Sequence, residues 1–179
     1  MRIITGKYKH RRFDIPKGFQ ARPTTDFAKE NIFNVLRAYI DFEQTKALDL
    51  FAGTGSISLE LLSRGCPQVV SIEKNRRHYA FIKQIQDKLN DTAWEIHCTD
   101  ALNFIQRAKQ PFNLIFADPP YALPELSELP ERIFNASLLQ PNGLLVLEHG
   151  KDNNFDNHTA FVEHRQYGSV NFTIFQKTT

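Results

Sequence analysis

From Lys46 onward, short unbroken apolar runs alternate with longer stretches whose apolar residues recur every three or four positions. The runs KALDLF, QVVSIE, WEIHCT, FNLIFA and LLVLEH read as strands buried on both faces. Between them, SISLELLSRG, closed by Gly65, reads as a helix, as do ALNFIQRA and LPERIFNASLL. NRRHYAFIKQIQDKLN is predicted as a helix with Tyr79, Ile82, Ile85 and Leu89 on one stripe. PNG reads as a turn, and FVEHRQYGS with VNFTIFQ as a final antiparallel pair. Strands alternating with helices predict an α/β fold, a mostly parallel sheet with helices on both faces.

Upstream the pattern differs. RIITG and RRFDIP suggest two short strands around a basic turn. In RPTTDFAKENIFNVLRAYI, Thr25 is a plausible N-cap, and Phe27, Ile32, Phe33, Leu36 and Ile40 fit one helical face over residues 25–40. The expected organisation is an N-terminal extension, residues 1–42, before a main domain, residues 43–179.

Charge changes the picture more than composition does. The chain carries a net charge of only +2, yet residues 1–22 hold seven Lys and Arg against Asp14 alone, leaving the remainder at −4. A basic arm on an acidic body suits a polyanionic partner, or simply a solvated terminus. No apolar run reaches spanning length, and MRIITGKYKHRRF lacks a signal core, so a cytosolic protein is expected. Cys66 and Cys98 then read as free thiols. The six histidines show no metal-ligand spacing, and no metal is expected.

Ligands of open α/β sheets bind beyond the carboxyl ends of the strands. The first core strand ends as DLFAGTGS, where Gly53 and Gly55 permit close backbone approach at a helix N-terminus. A third glycine is missing, which counts against a nicotinamide dinucleotide. The second strand ends in SIEK. Glu73, 20 residues after Gly53, is placed to accept ribose hydroxyls or, as a surface glutamate, to pair with Lys74 or Arg76. Asp100 in CTDAL can cap a helix, meet an adenine amino group, or both. The fourth strand ends as IFADPPYAL, where two prolines stop the ladder and leave Asp118, Pro119, Pro120 and Tyr121 in a stiff loop.

With these segments in order, the chain resembles class I S-adenosylmethionine-dependent methyltransferases and, more narrowly, the RsmD family, which methylates N2 of a guanine in bacterial 16S ribosomal RNA. The resemblance rests on MRIITGKYKHRRF, RPTTDFAKENIFNVL, LDLFAGTGSISLELLSRG, SIEKN, FADPPY and RQYGSVNFTIF. It implies a Rossmann-like methyltransferase sheet with a C-terminal antiparallel hairpin. It implies cofactor binding by Asp49, Phe51, Ala52, Gly53, Thr54 and Gly55 for the methionine part, Glu73 and Lys74 at the ribose, and Asp100 and Ala101 at the adenine. Catalysis falls to Asp118, Pro119, Pro120 and Tyr121. RNA contacts are expected from Arg2, Lys7, Lys9, His10, Arg11, Arg12 and Arg22, although Arg22 can equally turn towards the active site. The family's target is guanine-966, in a small-subunit assembly intermediate, and a monomer is expected. Ser56-Ile57-Ser58 departs from the family's usual small residues and second glycine after this turn. A DNA adenine-N6 methyltransferase, which also uses Asp-Pro-Pro-Tyr, and a non-catalytic RNA-binding assembly protein remain as alternatives.

Overall fold

A computed structural model describes residues 1–19 and 25–178. One sheet contains β1 (Lys46–Asp49), β2 (Gln68–Ile72), β3 (Trp94–His97), β4 (Phe112–Ala117), β5 (Leu139–His149), β6 (Phe161–Tyr167) and β7 (Val170–Gln176). Their order is β3-β2-β1-β4-β5-β7-β6. The first five strands run parallel, and β7 pairs antiparallel with both β5 and β6. Strand order reverses between β1 and β4, which makes their carboxyl ends the natural crevice.

Side chains alternate between two cores, as a period of two demands. Ala47, Leu114, Phe116, Leu144 and Val146 face one layer. Leu48, Ile115, Ala117, Leu145 and Leu147 face the other. The first layer is covered by α1 (Asp26–Leu36), α2 (Ser56–Ser63) and α3 (Arg76–Leu89). The second is covered by α4 (Ala101–Arg107) and α5 (Leu129–Asn135).

Two helical faces differ from expectation. In α1, with Thr25 as N-cap, the buried residues are Ala28, Lys29, Ile32, Phe33 and Leu36, while Phe27 is 65% exposed. Phe27 stands five residues before Ile32, about 140° round the helix, and so cannot share its face. In α3, His78 and Phe81 take the buried positions beside Ile82 and Ile85 because Phe19 packs on both rings; Tyr79 and Leu89 are half-buried.

The PNG segment lies inside β5 instead of ending an element. Pairing jumps from Phe112↔Leu139 to Leu114↔Leu144, so residues 140–143 form a bulge. Asn142, at φ 60°, donates to the Lys177 carbonyl at 3.0 Å, and Lys177 N–H returns to Gly143 at 2.9 Å. Helix α5 stops at Asn135, short of the predicted end, where Ser137 takes a left-handed φ of 55°.

The N-terminal segment makes one antiparallel bridge, Arg2 to Arg12, where two short strands were expected. It is nonetheless firmly docked. The buried Glu60 carboxylate of α2 accepts from Ile4 N–H at 2.9 Å and Thr5 N–H at 3.1 Å. Lys7 N–H donates to the Ser63 carbonyl at 2.7 Å. Gly6 has φ 88°, and a Cβ there would lie 1.7 Å from that carbonyl oxygen, so only glycine fits.

Candidate active site

The β1 end turns through Gly53 (φ 54°) and Gly55 (φ 78°) into α2. Gly55 offers no capping side chain. The buried Asp49 replaces it, accepting from Ser58 N–H at 3.2 Å and Ser58 Oγ–H at 2.6 Å. Ser58 Oγ also meets Ser71 Oγ at 2.6 Å, and Trp94 Nε1–H donates to Ser71 Oγ at 2.7 Å. One polar chain thus ties β1, α2, β2 and β3 beneath the turn, and Ser58, a departure from the family pattern, is its centre. Burial pushes the Asp49 carboxyl up to about 6, against the Ser58 hydrogen bonds, and the nearby Glu73 charge adds to the rise. Phe51 and Gly53 are half-buried, and Ala52 and Thr54 buried, along this turn.

Glu73 directly follows β2, buried, with Oε2 accepting Gly53 N–H at 2.8 Å and Oε1 accepting Asn75 N–H at 2.6 Å. It therefore holds the glycine turn, has His78 Nδ1 3.9 Å away, and pairs with neither Lys74 nor Arg76 among the described residues. Asp100 is the N-cap of α4: Oδ1 accepts from Leu102 N–H at 2.9 Å and Asn103 N–H at 3.3 Å. Its Oδ2 lies 3.9 Å from the exposed Lys74 ammonium, and Ala101 follows it, buried, as the first residue of α4.

At the end of β4, Asp118 is partly buried, Pro119 buried, Pro120 exposed and Tyr121 48% exposed. The Tyr121 ring lies against Gly150, where an added Cβ would be 3.4 Å from Cδ2. Its hydroxyl donates to Glu148 Oε1 at 2.9 Å. Burial, then the Glu148 and Asp49 charges, push the Asp118 carboxyl well above the ordinary carboxylate range. Burial and the Glu148 charge likewise raise the Tyr121 phenol.

Glu148, buried near the carboxyl end of β5, is absent from the residues expected from sequence. An acidic residue closing the apolar run LLVLEH is the available signal, since the same criterion singles out three of the first four strand ends. Glu73, Asp49, Asp118 and Glu148 form a continuous acidic edge across β2, β1, β4 and β5. Among the described residues no cluster has the makings of a metal site.

A second unanticipated residue is Lys29. Its buried ammonium donates to the Arg2 carbonyl at 2.7 Å and Ser56 Oγ at 3.0 Å, and burial lowers its pKa. It thereby joins the arm to the first residue of α2.

The basic arm divides in two. Arg2 pairs with Asp26 at 3.0 Å, and Lys7 with Asp91 at 2.8 Å. Tyr8 donates to the same Asp91 at 2.7 Å, with Lys7 and Arg11 over its ring. Lys9, His10, Arg11 and Arg12 are consecutive and exposed, and form no ion pair among the described residues. Arg22 lies outside the described residues.

Comparison with known proteins adds an independent line. Residues 1–176 match the family described as Conserved hypothetical protein 95. The chain is 31% identical over 183 residues to Ribosomal RNA small subunit methyltransferase D of Haemophilus influenzae, covering 98% of this chain and 93% of that one. To the protein of the same name in Escherichia coli K12 it is 33% identical over 149 residues, 83% and 71% of the two chains. A solved structure of a hypothetical protein from a Thermus species superposes with TM-score 0.86 at 28% identity, over 98% of both chains.

Proposed function

Given that the chain belongs to the RsmD family of ribosomal RNA methyltransferases, we propose that it transfers a methyl group from S-adenosylmethionine to the exocyclic N2 of a guanine in 16S ribosomal RNA. We place the target at the family position guanine-966 and the event in small-subunit maturation, with the protein acting as a cytoplasmic monomer. The observation that carries this reading is the joining of the glycine turn, Glu73 and the Asp118–Tyr121 loop along one acidic strand edge. Two glycines at positive φ leave backbone room, and the acidic edge suits a cationic ligand. These residues fit the cofactor on donor chemistry: Gly53 and Gly55 at the methionine part, Glu73 at the ribose, Asp100 Oδ2 and Ala101 N–H at the adenine.

Bound S-adenosylmethionine supplies an electrophilic sulfonium methyl. The chain's own task is to aim a poor nucleophile, since the guanine N2 lone pair is delocalised into the ring. Asp118, once ionised, accepts one amino N–H, and the Pro119 carbonyl accepts the other. Both bonds direct the lone pair and strengthen as positive charge develops on nitrogen. The prolines leave little to order on binding. The half-exposed Tyr121 ring stacks on the extruded base, worth about 1–3 kcal/mol by analogy with single-strand binders.

The decisive assay is methyl transfer from radiolabelled cofactor to 16S RNA, partly assembled small subunits and duplex DNA, with nucleoside analysis of the product. N2-methylguanosine from the ribosomal samples is expected. N6-methyladenine in DNA would overturn the substrate, and loss of cofactor binding the reaction itself.

Glu73→Ala is expected to weaken cofactor binding about tenfold or more, by losing hydrogen bonds to a charged acceptor and untethering Gly53. Titration calorimetry reads this, and an unchanged affinity removes Glu73 from the cofactor site.

We assign residues 1–42 to RNA contact and 43–179 to the transferase. The exposed quartet of Lys9, His10, Arg11 and Arg12 is the part of the arm free to meet phosphates. Replacing Lys9, Arg11 and Arg12 by alanine should flatten the log–log salt dependence of RNA binding by about 2, or about 0.7 per phosphate contact. Cofactor affinity serves as the control. A slope equal to that of the parent protein assigns these charges to solubility.

A further inference from the structure

Among the described residues, Phe27, Tyr39 and Tyr121 are the large hydrophobic side chains left exposed. Tyr39 is held at the surface by its hydroxyl, which donates to Glu163 Oε1 at 2.8 Å. Tyr121 belongs to the loop after β4. Phe27 has no polar group, and at 65% exposure it is the most open of the three. One exposed apolar side chain is ordinary on a protein surface. Phe27 is set apart by its bracing and its place. The Tyr167 ring stands perpendicular to it, with centroids 6.1 Å apart, so the phenyl is held while most of it stays open. Tyr167 in turn packs on the buried Phe172, with centroids 6.2 Å apart.

The sheet register fixes the place. His149 of β5 pairs with Asn171 of β7, and Asn171 with Gln166 of β6. Tyr167 follows Gln166, just past that row, at the edge where Gly150 meets the Tyr121 ring. Two strand spacings, about 10 Å, separate the end of β5 from Tyr167. Asp26, the residue before Phe27, pairs with Arg2 at 3.0 Å. Arg2, Arg12, Asp26 and Ser56 line one open recess, and Arg12 belongs to the exposed basic quartet. Phe27 therefore stands between the free cations of the arm and the Asp118–Tyr121 loop.

Resting on the ribosomal RNA substrate proposed above, we propose that Phe27, braced by Tyr167, is a stacking platform for an unpaired base neighbouring the target guanine. Phosphates meet the arm, one neighbouring base lies on the phenyl ring, and the target lies on Tyr121. A phenyl ring offers a π-face to any base without hydrogen bonds, so the platform tolerates sequence. The charged side chains of Arg2 and Asp26 beside the ring suit a polyanionic strand better than a protein partner, which would seek a larger contiguous apolar patch.

Phe27→Ala separates stacking from charge and from folding. Binding of the full chain to 16S RNA and to partly assembled small subunits is measured by filter binding across a range of salt, without cofactor. Affinity is expected to fall about tenfold, in line with loss of one base stack. The log–log salt slope should match the parent's, because no phosphate contact is lost. In the transfer assay KM for RNA should rise by a similar factor, with kcat within about threefold. The thermal midpoint should hold, since alanine at an exposed helical position costs nothing in helix propensity. Phe27→Trp should restore affinity, and its added indole should be quenched when RNA binds, against the background of the buried Trp94. Affinity of Phe27→Ala within about twofold of the parent, or a fall matched by a smaller salt slope, overturns the platform. So does a parent dimer in sedimentation that Phe27→Ala dissolves, which would give the ring to a second copy. A parent protein that binds neither form of ribosomal RNA defeats the substrate reading and the platform together, whereas parent-like binding by Phe27→Ala defeats the platform alone.

Discussion

Asp118→Ala is expected to lower methyl transfer about 10²–10³-fold while cofactor affinity stays within about twofold, in line with removal of one preorganised hydrogen-bond partner. The effect belongs in turnover. In the proposed reaction Asp118 contacts the target amine, and the developing charge on nitrogen would make that bond stronger in the transition state than in the ground state. The fold should not suffer. Asp118 takes up its proton more readily in the folded protein than an ordinary aspartate does, because burial and Glu148 oppose its charge. Folded protein therefore binds more protons, so this residue makes stability fall as pH rises from the ordinary aspartate value through the raised one. Removing the carboxyl lifts that penalty, and the thermal midpoint of Asp118→Ala or Asp118→Asn at neutral pH should be no lower than the parent's. Single-turnover rates with saturating cofactor test the first claim. A rate within about threefold of the parent would remove Asp118 from catalysis.

Glu60→Ala should destabilise the protein by about 3–5 kcal/mol, the usual cost of stranding one partner of a buried ion pair. Glu60 Oε1 meets Arg64 Nη2 at 3.0 Å, and the Arg64 side chain is 4% exposed, its guanidinium over Phe33 and Phe42. The same carboxylate accepts the Ile4 and Thr5 amides, so three sets of donors lose their acceptor at once. Urea unfolding gives the number, and a loss below about 1 kcal/mol would show that Glu60 carries little. Glu60→Ala with Arg64→Met should recover much of it, because an apolar pair no longer buries an unpaired charge. Released from α2, residues 1–19 should also become sensitive to protease in the single variant.

The sheet was legible because its central strands are buried on both faces, and five apolar runs punctuated by Gly, Pro and Asp leave few alternatives. The strand-end rule located Glu73, Asp100 and Asp118 for the same reason, since position along a strand is set by local pattern, whereas Asp49 came only through the family resemblance. Side chains whose environment comes from distant chain were not legible. Lys29 reads as a surface lysine until the arm and Ser56 close over it, and Lys7 reads as a phosphate ligand until Asp91 meets it. Glu148 needed the strand-end rule to be applied once more. The PNG bulge in β5 bonds to Lys177, just past the end of the neighbouring antiparallel β7, which no local turn signal encodes.

The buried polar chain under the glycine turn has an optical consequence. Trp94 is the only tryptophan in the chain, and its indole ends the line of hydrogen bonds from Asp49 through Ser58 and Ser71. The edge of its ring also lies where a Cβ on Gly55 would sit 3.5 Å away. Any adjustment of the turn reaches this one fluorophore through a bonded and a packed route. The protein thus carries its own emission probe, and occupancy of the proposed cofactor site is expected to be readable in stopped flow without a label and timed against the chemistry.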